Sequence, residues 1–316
     1  MPTPPDFSAI RDAHQRIQPQ IHRTPVMTCA SLDALCGGRL VFKCENFQKA
    51  GSFKSRGACN AVFSLDETAA QRGVVTASSG NHGAALARAA ALRGIPATLV
   101  MPQGASRVKA DAVRGYGATV HFCEPTMAGR EAATARIVEE TGAELIPSYN
   151  DPRIIAGQGT AAVELLEEAG DLDVILTPLG GGGLLAGTLI AAKALRPQVR
   201  VIGCEPALAD DAYRSWKAGQ IIQSTYPHTV ADGLRTSLGE LTFAVIRELV
   251  DDIVLVTEEE IISAMRLVWE RMKILIEPSS AVPLAAALGD QVETAGTRVG
   301  IILSGGNVSL DHLPFH

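Results

Sequence analysis

The sequence predicts an α/β protein built on a mostly parallel sheet with helices on both faces. Three observations lead there. Short apolar runs occur at 40–44, 73–77, 97–101, 118–122, 173–177, 199–204, 253–256 and 299–303. Segments of helical period separate most of them. Glycine- or serine-rich turns follow several of the runs directly, where an α/β sheet places its ligand loops. At 316 residues, 47% hydrophobic and 20% charged, the chain can bury one large core or two medium ones, hence one or two lobes.

Taken in order, the first stretch, MPTPPDFSAIRDAHQRI, lacks a basic segment followed by an apolar core, and no later stretch approaches about 20 uninterrupted apolar residues. The expectation is a cytoplasmic protein with no membrane partner. The net charge of −6 and pI near 5.7 argue against nucleic acid, which needs a concentrated basic face. A small molecule is the better ligand. The strand-like LVFKCE runs into KAGSFKSRGA, which sets Lys54 among small, turn-prone residues at a helix start. GVVTA leads into SSGNHG, residues 78–83, and the following ALARAAALRG ends at Gly94, suited to a left-handed cap. Pro and Gly clusters near 102 and 147 mark turns. DVILT leads into four glycines, Gly180, Gly181, Gly182 and Gly183, ahead of a helix. Thr257 and Glu260 have capping-box spacing before an amphipathic run. VGIIL ends at Ser304, followed by Gly305, Gly306 and Asn307. The six cysteines show no metal or redox spacing and read as reduced fillers. No internal repeat is present.

These turns carry the chemistry. Free amides and hydroxyls at the helix start after 78–83 make an anion site, the alternative being an ordinary capped helix. Consecutive glycines cost backbone entropy, and close approach of a phosphate explains them economically. Gly181, Gly183 and Ala186 also match a dinucleotide fingerprint, with Glu205 about 20 residues on as a ribose-binding acid. A nicotinamide-dependent oxidoreductase therefore competes, but it leaves Lys54, the serine-rich turn and Ser304 without roles. Pyridoxal phosphate uses all four places: an aldehyde for a lysine, a phosphate for a glycine loop, a ring hydroxyl for an amide, and a ring nitrogen for a hydrogen-bonding partner.

KAGSFKSRGA, SSGNHG, GGGG and LSGGN resemble the signatures of the fold type II pyridoxal-phosphate enzymes, in particular the serine/threonine dehydratase and serine racemase family. The likeness covers nearly the whole chain, with IAGQGT, GCEPALADDAY, ADGLRTSLG and LVWERMKILIEPSSAV nearest to serine racemases. It implies a two-lobed fold like the tryptophan synthase β chain, with residues 1–72 and 148–316 forming a large cofactor-binding domain and 73–147 a small one. It also implies a homodimer. The implied reaction eliminates water from serine, threonine or a related β-hydroxy amino acid, and hydrolysis of the resulting enamine gives a 2-oxo acid and ammonia; the alternatives are serine racemisation and dehydration of 3-hydroxyaspartate.

The resemblance implies roles residue by residue. Lys54 matches the Schiff-base lysine, Phe53 the neighbour lying against the cofactor ring, Asn81 the amide on the ring hydroxyl, Gly180 to Gly183 the phosphate loop, and Ser304 the partner of the ring nitrogen. Ser79 matches the acid/base on the opposite face, which makes elimination and racemisation branches of one path. Ser78, Ser79, Asn81 and His82 are implied to hold the substrate carboxylate. Arg130 matches an arginine that reaches the substrate and could clamp a second carboxylate; Thr236 is implied to lie near the same part of the substrate. Glu205, the carbonyl of Ala209, and Asp211 match a divalent-cation site, an oxygen set suited to Mg²⁺ or Ca²⁺, with Mn²⁺ as a further fit. Ala50 and Ala84 depart from the threonine and glutamine of the animal serine racemases in their nucleotide-binding region, so ATP activation is not expected. The chain ends soon after Ser304, and a regulatory domain with isoleucine feedback is not expected either.

The remaining residues read as structural. Trp216, Trp269 and the apolar positions of LVWERMKILI suit core or interface, and His14, His22, His121 and His228 share no metal spacing.

Overall fold

The computed structural model describes residues 3–105, 107–224 and 227–315. Ten strands form two sheets: β1 (Val26–Thr28), β2 (Arg39–Cys44), β3 (Val74–Ala77), β4 (Ala97–Pro102), β5 (Thr119–Cys123), β6 (Glu144–Leu145), β7 (Val174–Pro178), β8 (Arg200–Pro206), β9 (Asp252–Val256) and β10 (Arg298–Leu303). The larger sheet has the order β1-β2-β10-β7-β8-β9, and the smaller β5-β4-β3-β6. Among the described residues only the β1–β2 strand pair is antiparallel.

All eight expected strands are present, with ends shifted by a residue or two. β1 and β6 are additions. Three and two residues long, they are too short to show a period, and they exist because β2 and β3 offer them an open edge.

Burial explains why the larger sheet is parallel. β2, β7, β8 and β10 are buried at every position beyond their first or second, on both faces, so their sequences read as continuous apolar runs. One core packs Ile175, Val201 and Ile302 against the helices Pro152–Ala169 and Gly183–Leu195 on one face. Another packs Phe42, Leu176, Ile202 and Ile301 against helices Glu258–Leu267 and Pro278–Leu288 on the other. A third joins the smaller sheet, through Val74, Leu99 and the Asn81–Arg93 helix, to Ala58, Cys59 and Val62 of the Lys54–Phe63 helix.

Helix ends obey local rules. Gly94 caps its helix in the left-handed region at φ +71°, and Thr257 with Glu260 forms the capping box in both directions. After Leu267 the helical run of LVWERM continues as a π-turn, Val268–Met272, closed by Lys273 at φ +60°. The six cysteines are all unpaired, four of them buried.

Because the strands are parallel, their carboxyl ends lie together. β2 leads to Lys54, β7 to Gly180, β10 to Ser304, and β3 of the smaller sheet to Ser78. Every informative turn of the sequence leaves a strand at that end.

Candidate active site

Lys54 is placed by the backbone on either side of it. Ala50 (φ +54°) and Gly51 (φ +72°) turn the chain after β2, and Ser52 makes a β-bridge to Gly305. Phe53 N then donates to the carbonyl of Ser304 at 3.0 Å, which lays the start of the Lys54–Phe63 helix against the end of β10. The Lys54 amine donates to the carbonyl of Ser148 at 2.8 Å and stands 4.9 Å from the centre of the Phe53 ring. Burial drives its pKa down from 10.5 to about 8, with the Glu277 carboxylate pulling the other way. Near neutral pH a sizeable fraction is thus free base, able to attack an aldehyde or take a proton.

The next residue, Tyr149, ties that amine to the glycine loop. A Cβ added at Gly181 would collide with the Tyr149 ring, and one at Gly183 would lie 3.0 Å from Tyr149 Cβ. At Gly180 it would meet Leu234 Cα at 2.8 Å, and at Gly182, where φ is +84°, Leu238 and Ile246. Packing against protein therefore penalises a side chain at Gly180, Gly181 and Gly182 and leaves little room at Gly183, and the number of glycines alone does not point to a phosphate. The amides do. Buried Gly180, Gly181 and Gly182 donate to no acceptor among the described residues, and the helix Gly183–Leu195 opens behind them with its own unpaired N–H groups. Buried amides without acceptors are costly, and their concentration at a helix N-terminus suits an anion.

The turn after β3 is organised by Ser78, whose Oγ accepts from the amides of Gly80 (3.4 Å) and Gly83 (3.2 Å). Asn81 opens the following helix. Its amide nitrogen lies 3.0 Å from both carboxylate oxygens of Glu277, and its Oδ1 accepts from Asn307 Nδ2 at 3.0 Å. His82 is buried, with Nε2 3.0 Å from the carbonyl of Ile146. Burial first, then the Lys54 charge, lower its pKa to about 4. The neutral ring donates through Nε2, leaving Nδ1 a buried acceptor with no partner.

Ser304 is buried, its Oγ 3.1 Å from Ser280 Oγ. Ser280 in turn accepts from Gly305 N at 2.6 Å and donates to the Gly305 carbonyl at 2.7 Å. A neutral hydroxyl, with no carboxylate bonded to it among the described residues, thus marks the end of β10.

Glu205 ends up at the carboxyl end of β8, accepting from the amides of Ala212 (2.9 Å) and Tyr213 (2.8 Å). It therefore caps the Asp211–Ala218 helix, a different task from binding a ribose, and the dinucleotide reading loses its acid. Asp211 is buried and its Oδ2 has no hydrogen-bond partner. Burial raises the pKa of both carboxyls; the charges of Asp211 and Asp210 raise Glu205 further, and that of Asp210 raises Asp211. Ala209 is buried in the short turn between them. No three His, Cys, Asp or Glu side chains converge on a metal position among the described residues; a set of two carboxylates and a carbonyl would not form such a group.

Arg130 and Thr236 are not joined to the Lys54 cluster by any hydrogen bond or ion pair among the described residues. Thr236 is exposed. Arg130 lies on the Met127–Thr141 helix with its Nε buried and unpartnered. Ser79 is half-buried after β3. His22 and His121 are locally bonded, to the Phe47 carbonyl and to Arg136, as their lack of metal spacing implied.

Sequence reasoning passed over Glu277, Asn307, Ser280 and Ser148. Asn307 was visible in LSGGN. Glu277 carried a signal too, as the single acid of ILIEPSSAV, set between an apolar run and a proline-started helix.

A buried amine of lowered pKa, a row of acceptor-free amides, an amide held at both ends and a hydroxyl stand at parallel strand ends, a set of groups that fits a phosphorylated carbonyl cofactor. The chain belongs to the pyridoxal-phosphate dependent enzymes, whose family model matches residues 17–305. It is 52% identical over 308 residues to the serine racemase of Dictyostelium discoideum, covering 96% of this chain and 95% of that one. It is 50% identical to the beta-hydroxyaspartate dehydratase of Paracoccus denitrificans (strain Pd 1222), over 99% of both. The crystal structure of a threonine deaminase from T.th. superposes with a TM-score of 0.92 at 44% identity, covering 97% of this chain and 99% of that one. No helix among the described residues is long and apolar enough to cross a membrane.

Proposed function

We propose that this protein is a pyridoxal-phosphate ammonia-lyase that removes water from a β-hydroxy amino acid, yielding a 2-oxo acid and ammonia, with racemisation of serine as a branch of the same path. The observation that carries this reading is the chain of contacts from the Lys54 amine through Ser148 and Tyr149 to the buried, acceptor-free amides of the glycine loop. Those residues fit the cofactor: Lys54 for its aldehyde, Gly180 to Gly183 for its phosphate, Phe53 and Asn81 for its ring and ring hydroxyl, and Ser304 for its ring nitrogen. When bound, pyridoxal phosphate supplies a ring that accepts the electron pair left behind by the α-proton.

Lys54, released as a free amine, takes that proton from one side, and its pKa of about 8 suits the task at physiological pH. Ser79 stands as the exchanger on the other side, and the balance between the two decides how much inversion accompanies elimination. Ser78, Ser79, Asn81 and His82 receive the α-carboxylate at the helix N-terminus. Ser304, a neutral hydroxyl, offers a hydrogen bond without a formal positive charge, which favours elimination over transamination. The decisive experiment is a panel of L- and D-serine, L-threonine and the 3-hydroxyaspartate stereoisomers, assayed for 2-oxo acid and for chiral inversion. Absence of turnover on all of them, or an unaltered cofactor absorbance in Lys54→Ala, would refute the reading.

A second reading, 3-hydroxyaspartate as preferred substrate, is favoured by the buried, unpartnered Nε of Arg130, which is free to pair with a second carboxylate. The 50% identity to a beta-hydroxyaspartate dehydratase supports it. Thr236 is assigned to the same end of the substrate. Arg130→Ala should lower kcat/KM for hydroxyaspartate by about 10² while leaving serine within a few-fold, in line with the loss of one charge-assisted pair. An equal loss on both substrates rejects the assignment.

Glu205, the Ala209 carbonyl and Asp211 are proposed to hold Mg²⁺, Ca²⁺ or Mn²⁺ as a structural or activating ion, and the orphaned Asp211 Oδ2 supports this. Both carboxyls are raised, so binding must expel protons and strengthen with pH. Mg²⁺ should raise Tm more at pH 8 than at pH 6, and Asp211→Asn should abolish the rise. We further assign residues 73–147 to a small domain, the rest to a large one, a cytoplasmic location, and a homodimer, the last of which sedimentation equilibrium checks.

A further inference from the structure

The geometry points to Glu277 and Asn307 as positioning residues that fix which way the Asn81 amide faces, so that its nitrogen is the atom held ready for the cofactor's ring hydroxyl. The inference rests on the reading of Asn81 as a cofactor contact and extends it to two residues without an assigned role.

The hydrogen bonds leave one choice. Asn81 Nδ2 sits 3.0 Å from Glu277 Oε1 and 3.0 Å from Oε2, the geometry of one N–H shared between two acceptors. Its second N–H remains unused by these bonds. Asn81 Oδ1 accepts from Asn307 Nδ2 at 3.0 Å, and the other N–H of Asn307 reaches the carbonyl of Ala50 at 2.8 Å. Asn307 N donates to Glu277 Oε2 at 3.2 Å, and Glu277 N donates to the Gly305 carbonyl at 3.0 Å. Rotating the Asn81 amide by half a turn would set its oxygen against a carboxylate and its NH₂ against the NH₂ of Asn307. Two favourable contacts would become two repulsive ones. A buried carboxylate can only accept and Asn307 is already committed as donor, so the orientation follows from chemistry.

The same bonds span the two sheets. Asn81 follows β3 of the smaller sheet, whereas Glu277 and Asn307 flank β10 of the larger, and Asn307 also holds Ala50 in its positive-φ turn four residues before Lys54. The Glu277 charge is felt at the Lys54 amine as well. One carboxylate thereby sets the direction of the ring contact and lies within electrostatic reach of the imine-forming amine.

The test is cofactor binding by a double-mutant cycle, read from the bound cofactor's visible absorbance and from its release rate. Glu277→Gln, which lets the amide turn over, should weaken pyridoxal phosphate binding about 10-fold, or ~1.4 kcal/mol. It should have little further effect in an Asn81→Ala background. Asn307→Asp, which puts an acceptor against Asn81 Oδ1, should behave the same way, and Glu277→Asp should recover part of the loss. If the effects of Glu277→Gln and Asn81→Ala simply multiply, Glu277 acts independently of Asn81 and the inference fails. Should Asn81→Ala alone leave binding and absorbance untouched, the failure lies in the underlying cofactor contact. Circular dichroism identifies a misfolded variant, and Asn307→Asp then decides the case.

Discussion

Burial changes how readily a lysine gives up its proton. Lys54 carries the usual flexible stem, yet burial takes its pKa from 10.5 to about 8, and Glu277 limits the fall. In the cofactor-free protein the amine should react with a carbonyl or acylating probe at a rate that rises with pH to a midpoint near about 8. A midpoint near 10.5 would show that the amine is solvated. The sign for stability follows from the same shift. Between about 8 and 10.5 the unfolded chain holds a proton that the folded one has released, so stability gains with rising pH across that window. His82 adds a second window: its value of about 4, against 6.5 when free, means stability present above pH 6.5 and lost as pH falls toward 4. A lowered lysine pKa is what the resemblance implies for Lys54, whereas the His82 shift was not legible in the motifs, because it depends on what the fold puts around the ring.

At the scale of an element, the glycine loop shows how a motif can be found for a partial reason. Four glycines after an apolar run were visible as a ligand loop, but their Cβ positions are denied by Tyr149, Leu234, Leu238 and Ile246, residues brought there from elsewhere in the chain. What a ligand would use is the row of buried amides. Gly181→Ala should displace the Tyr149 ring and, through Ser148, the Lys54 amine. We expect cofactor affinity to fall by about 10-fold or more, with a loss of stability of order 1–3 kcal/mol from overpacking. Gly94→Ala supplies the contrast. Its Cβ would meet nothing within 4 Å, so only the φ of +71° is penalised, at roughly 1 kcal/mol, and the cofactor should be retained normally. Urea midpoints together with cofactor titration separate the two cases.

At the scale of the molecule, a buried ion cluster ties the Lys54–Phe63 helix to β2 and to the Pro152–Ala169 helix. Arg56, two residues after Lys54, is fully buried and pairs with Glu45 (2.7 Å to each oxygen) and with Glu164 (2.9 and 2.7 Å). Lys43 on β2 joins Glu164 at 2.8 Å and the partly exposed Glu168 at 3.6 Å, so two buried cations meet two buried carboxylates and a third nearer the surface. Burial alone would raise the Glu164 carboxyl, but Arg56 and Lys43 outweigh it and hold it at about 2. Removing one member leaves an unmatched charge in the interior, at a cost of about 3–5 kcal/mol. Glu164→Ala should lower the urea midpoint accordingly and loosen the cofactor as a secondary effect. A change under about 1 kcal/mol, the usual worth of an exposed pair, would show that the cluster is solvated.

From the sequence by itself came the class of fold, the eight strands that shape it, the lysine, the turns that face the ligand and the family. These are local properties: a period of apolar residues, a serine or glycine at a strand's end, a capping pair four residues long. Only the folded chain decided that SSGNHG and ILIEPSSAV, about two hundred residues apart, meet at one amide. It likewise decided that Glu205 caps a helix, and that His82 is buried beside the Lys54 charge. Hydrogen-bond direction and proton affinity depend on which groups surround an atom in space, and parallel strands gather those groups from distant parts of the chain.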